Sequence, residues 1–196
     1  MPFGQVIPVT GPLSGFPGTI GYAADVVTVA KTVLNGTPDN VNFGDAVVVV
    51  PISGGGDAIV NVYDYILATA SGGQGGTLTA AKFAGVAVRH VKSLLSFPVN
   101  PDLAQGGSYA PNQKASVAVR GTLPVLIRNG SPSSQGTVYI RKATNASFPN
   151  GVIGGFEAQV SDSSTNCVAL TNVVFKDGNL DANGVAYVTL LERQAA

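Results

Sequence analysis

The sequence predicts an all-β protein: an antiparallel β-sandwich or barrel over residues 21–196, preceded by an extended arm over residues 1–20. Three observations predict it. Short runs rich in β-branched and aromatic residues recur between clusters of Gly, Pro, Asn, Asp and Ser, at spacings of about 8–15 residues, which suits hairpins rather than βαβ units. No segment carries a convincing helical period, and Leu78–Phe83 has room for a single turn only. Asp, Glu, Lys and Arg make up 11% of the chain, against about 25% in an ordinary soluble domain.

The arm comes first. Pro2, Pro8, Pro12 and Pro17 alternate with Gly4, Gly11, Gly15 and Gly18, and the segment has no charge. Proline fixes φ and removes a donor, and glycine penalises helix, so this stretch is extended or irregular. Phe3, Val6, Ile7, Val9, Leu13, Phe16 and Ile20 make it too apolar for a freely solvated tail. Such an arm docks on a neighbour or packs on its own domain, and Phe3, Ile7, Leu13, Phe16 and Ile20 are the candidate interface residues.

Strands follow at Ala24–Ala30, Phe43–Ile52 and Ile59–Ala68, with a dense turn signal at Asn35–Asn40 between the first two. The run Val47–Val50, ended by Pro51, suits a strand buried on both faces. Gly54–Gly56 and the stretch Ser71–Gly76 read as flexible loops. Further strands are expected at Phe83–Val91, Lys114–Arg120, Leu123–Ile127, Gly136–Lys142, Phe156–Val160, Cys167–Phe175 and Val185–Glu192. A chain of 196 residues can bury roughly 70% of its unfolded surface and needs no disulfide or metal for its core. Its one cysteine, Cys167, forms no internal disulfide and reads as a buried small hydrophobe.

Composition excludes several functions. The formal net charge is +0, whereas nucleic-acid binding draws on Lys and Arg to neutralise phosphates. Depletion of charge is a property of the centres of protein–protein interfaces. No run approaches the ~18 apolar residues of a membrane span, and the N-terminus has neither the basic nor the apolar region of a secretory signal. The three N-x-S/T sequons, at Asn35, Asn129 and Asn145, read as turn residues.

Chemical motifs are equally sparse. The single histidine, His90, has no G-x-S-x-G elbow to serve and reads as structural. Neither glycine cluster is followed by Gly-Lys-Ser/Thr or a helix, so neither reads as a phosphate loop. Starting at Asn179, the order N-x-D-x-N-G imitates the front of a calcium loop, but its twelfth position is Leu190, not a bidentate Glu. Asp177–Gly184 therefore reads as a hairpin turn, with cation binding as the lesser alternative. Glu157 and Glu192 are the only glutamates, and Glu157 lacks the paired carboxylate and aromatic cleft of a glycosidase. No catalytic residue, cofactor or metal site is expected.

Several segments carry a likeness. Phe83–Arg89, Tyr109–Gln113, Ser116–Gly121, Gly136–Arg141, Gly151–Ala158 and Asp181–Arg193, in that order, resemble the tailed-bacteriophage structural cement, or capsid decoration, proteins. The likeness covers residues 79–193, is looser at Gly15–Gly18, and leaves residues 39–76 unplaced. It implies a jelly-roll-like barrel, a homo-oligomer (dimer or trimer), and a place in the virion on the outer capsid surface. It also implies the major capsid protein as partner and assembly in the host bacterial cytoplasm; the charge balance and the lack of an apolar span argue against nucleic acid and membrane as partners. A tail-tube or fibre subunit, and a host-surface-binding module using the Tyr63–Tyr65 pair, stand as alternatives.

Overall fold

The computed structural model describes residues 17–20, 25–37, 39–52, 55–89, 107–160 and 166–191. Its strands are β1 Val27–Val33, β2 Val41–Asn42, β3 Ala46–Pro51, β4 Asp57–Asn61, β5 Phe83–Val88 and β6 Ser108–Tyr109. They continue with β7 Lys114–Asn129, β8 Thr137–Arg141, β9 Phe156–Glu157, β10 Cys167–Phe175 and β11 Val185–Leu190. One short helix, α1 Val62–Ile66, and single 3-10 turns at Thr69–Ser71 and Ala80–Lys82 complete the described elements. The protein is all-β, and a jelly-roll-like barrel is compatible with this architecture.

Pairing organises nine strands into two closed rings that share β7. In the first ring β1 pairs β4, β4 pairs β3, β3 pairs β5, β5 pairs β7, and β7 returns to β1. In the second, β7 pairs β11, β11 pairs β10, β10 pairs β8, β8 pairs β9, and β9 returns to β7. Closure removes sheet edges that would otherwise recruit other chains. Two contacts, β1–β4 and β7–β9, are parallel, so the sheet is mixed where a purely antiparallel one was expected.

The shared strand explains another difference. Lys114–Arg120 and Leu123–Ile127 read as two strands because Gly121 separates them; they form one strand of 16 residues. Arg120 still pairs Val27 in the first ring, and Gly121 already pairs Leu190 in the second. The strand changes neighbours at the glycine without ending. Gly121 has φ +106°, and a β-carbon there would lie 2.4 Å from the Asp25 carbonyl oxygen and 2.6 Å from the Val26 α-carbon.

Burial follows strand alternation. In β3, Val48 and Val50 join a cluster with Val60, Val86, Leu123, Ile140, Phe175 and Val188, which runs through both rings. Val47, between them, joins a second cluster with Ile59, Ala87 and Val117. The valine run is thus buried on both faces, as its composition predicts.

The expected strand Ile59–Ala68 is half right. It ends at Asn61, whose side-chain oxygen accepts the Asp64 backbone N–H at 2.7 Å and caps α1. Asparagine at this position favours helix initiation over strand continuation. The following glycines do not form a flexible loop. Gln74, Gly75 and Gly76 donate their backbone N–H groups to the carbonyls of Asp64, Leu67 and Tyr65. Ser71–Gly76 is therefore a fixed cap over the end of α1, and Tyr65 lies against Gly76.

Candidate functional site

Of the five interface residues expected in the arm, Phe3, Ile7, Leu13 and Phe16 lie outside the described residues; Ile20 is exposed. The root of the arm is tied down. Gly18 donates its N–H to the Pro124 carbonyl in β7 at 3.0 Å, and its carbonyl accepts the Arg89 N–H at 2.8 Å. Pro17 and Gly18 therefore pack on the strands, and the arm leaves them from a defined point.

Beside that point an open groove of about 690 Å³ lies between the rings. Pro17 and Thr19 form part of its wall. Phe43, Tyr63, Val152 and Ile153 supply apolar surface, with Tyr63 43% and Val152 49% exposed. Asn40, Asn42, Asp39 and Asp45 come from the segment between β1 and β3, and Arg89 and Arg128 follow from the end of β5 and from β7. Sequence reasoning missed this groove, because its walls come from segments far apart in the chain. The one local signal is the polar run Asp39–Asp45 around Phe43.

Two acids beside the groove are perturbed. Asp45 accepts the Asn42 backbone N–H at 2.8 Å and its side-chain amide at 3.1 Å. Burial nevertheless raises its pKa from 3.8 to about 6, against the lowering effect of those bonds and of Arg128. Asp64 is fully buried behind the groove wall, and burial raises its pKa too, with the Asp39 charge adding to the rise. Its Oδ2 accepts from Asn61 Nδ2 at 3.1 Å and the Asp39 N–H at 3.3 Å, while Oδ1 has no partner among the described residues.

Asp45 gives a pH prediction with a definite sign. Its carboxyl holds a proton more tightly folded than unfolded, so its contribution to stability falls as pH rises from 3.8 through about 6. Asp45→Asn should remove this cost, gaining on the order of 1 kcal/mol relative to wild type at pH 7 compared with pH 4. Urea unfolding of both proteins at the two pH values checks it; parallel pH profiles would contradict the assignment.

The polar motifs of the sequence take part in local hydrogen bonding. Asp177 Oδ1 accepts the Asn179 N–H at 3.1 Å, and Asp181 Oδ1 accepts those of Asn183 and Val185 at 2.9 and 2.8 Å. The 177–184 segment is a turn built on Asx bonds, joining β10 to β11. Among the sequons, Asn145 bonds the Ser147 N–H in the same way. Glu157 and Arg141 form a fully buried ion pair, with Arg141 Nη2 donating to Glu157 Oε2 at 3.1 Å and Nε to Oε1. Cys167 is buried and donates its thiol to Glu157 Oε2 at 3.3 Å. Gly151 leaves room for this cluster, since a β-carbon there would lie 2.3 Å from Arg141 Nε. Tyr63 and Tyr65, expected on one strand face, both lie in α1, whose turn points them apart: Tyr63 faces the groove, Tyr65 the glycine cap. His90 lies outside the described residues.

The fold and its surface can be set beside known proteins. Residues 7–191 match the family described as structural cement protein (E217 gp24/Pam3 gp6). The chain belongs to this family. The cement protein is accordingly a structural component of a phage capsid, and its family role is structural rather than enzymatic. A chain from the capsid of Myoviridae phage XM1 shares the fold, with a TM-score of 0.55 and 19% identity over 100% of both chains. No curated protein matches. No described helix is long and apolar enough to cross a membrane.

Proposed function

We propose that the cement protein binds the outer capsid surface as a homo-oligomer, a dimer or trimer, and bridges junctions between major capsid protein subunits. In this reading residues 21–196 act as one domain, assembly takes place in the host bacterial cytoplasm, and neither nucleic acid nor membrane is a partner. The arm makes the contact through Phe3, Ile7, Leu13, Phe16 and Ile20. The observation that carries the reading is the pinning of Gly18 by two backbone hydrogen bonds, which gives an uncharged, apolar arm a fixed root on a closed β scaffold. A subunit bridging a seam adds buried area that must be exposed before the seam opens, and many symmetry-related copies multiply a modest contact.

Because Pro17 and Gly18 pack on the strands, the clean test removes residues 1–15. The truncated protein should keep its unfolding midpoint yet lose co-sedimentation with purified capsids by at least tenfold. Wild-type binding by the truncated chain would refute the role given to the arm.

A further inference from the structure

We infer that the inter-ring groove is a receptor for the protein's own arm, occupied by residues 3–9 in the free cement protein and vacated when the arm engages the capsid. The inference rests on the arm being the docking element.

Three observations lead there. The arm enters the described structure at Pro17, which is itself part of the groove wall. A segment tethered at the mouth of a site meets it at high effective concentration, so even weak complementarity fills it. Ile7 lies ten positions before Pro17, a reach of up to about 33 Å, and the turn-prone Gly11-Pro12 and Gly15 allow the chain to double back.

Chemistry matches as well. Phe3 and Ile7 share one side of an extended chain, and the groove offers Phe43, Tyr63, Val152 and Ile153 as apolar counterparts. A volume of about 690 Å³ falls in the range of specific binding clefts. The arm carries no charge, so entering the groove buries none, and the exposed Asn40 and Asn42 amides on the rim are of the type that bonds main-chain groups. Free in solution, an uncharged arm with this many large apolar residues needs a shelter; the groove at its root supplies one.

The test is a reversible lock. The full chain with Ile7→Cys and Val152→Cys should form a disulfide within one chain on mild oxidation, seen as a monomeric mobility shift; Cys167 is buried and does not compete. The oxidised protein should bind purified capsids at least tenfold more weakly than the reduced one, and reductant should restore binding. A second variant, Val152→Asp, should expel the arm and speed chymotryptic cleavage after Phe3 at least tenfold, with the midpoint of unfolding monitored in parallel. Cross-links only between chains would assign the groove to a second copy and overturn the inference. So would no cross-link, or a locked form that binds as well as the reduced one. These failures are separate from failure of the arm itself, which the deletion of residues 1–15 reads.

Discussion

Glu157→Gln should destabilise the cement protein by about 3–5 kcal/mol, because it leaves the Arg141 guanidinium buried without its counter-charge. Both side chains are fully inaccessible, and Arg141 Nη1 also donates to the Ala143 carbonyl at 3.3 Å, a neutral acceptor that does not replace the carboxylate. For a chain of this size that loss lowers the thermal midpoint by roughly 10 °C. Cys167 also loses a charged acceptor. The pair is nevertheless replaceable as a unit. Arg141→Met combined with Glu157→Leu removes both charges while keeping the volume, and should recover most of the stability lost by the single variant. Calorimetry on Arg141→Met alone, Glu157→Leu alone and the double variant measures the coupling. Additive losses would show that the pair does not act as a unit.

Gly121→Ala should be nearly as damaging. The left-handed φ already strains any side chain, and the added β-carbon would sit within 2.4 to 2.8 Å of the Asp25 and Val26 backbone. Relief requires β1 to retreat from β7, opening the first ring beside the point where β7 passes to the second. A cost of about 3 kcal/mol or more is expected. Amide hydrogen exchange locates it: protection should fall first along Val27–Lys31, the β1 residues paired with the first half of β7. Unchanged protection there would mean that the strand accommodates the methyl group locally.

What could be read from the sequence follows the range of the interactions. Cys167–Phe175 has the bounds expected of it because turn residues flank a β-rich run, a purely local signal. Val47–Val50 is buried on both faces because an unbroken apolar run in a strand permits little else. Local reasoning failed where one residue had two meanings. Asn61 ends a strand by capping a helix, and Gly121 continues a strand although glycine usually breaks one. It also failed where partners are distant. Nothing near Val27 announces that β1 closes a ring against β7, and nothing near Glu157 names Arg141. The groove belongs to this second class. The anchoring of Pro17 and Gly18 belongs there too, because it depends on Pro124, a residue in the middle of β7.

That root has a mechanical consequence. A pull on the arm enters the fold at Gly18 and passes through one hydrogen bond to Pro124 and another to Arg89. Pro124 lies in the strand common to both rings, opposite Tyr187 of β11. Tension on the arm is therefore delivered to the centre of the molecule instead of peeling a terminal hairpin. It divides between two closed loops of strands, neither of which opens until a whole seam of backbone hydrogen bonds gives way.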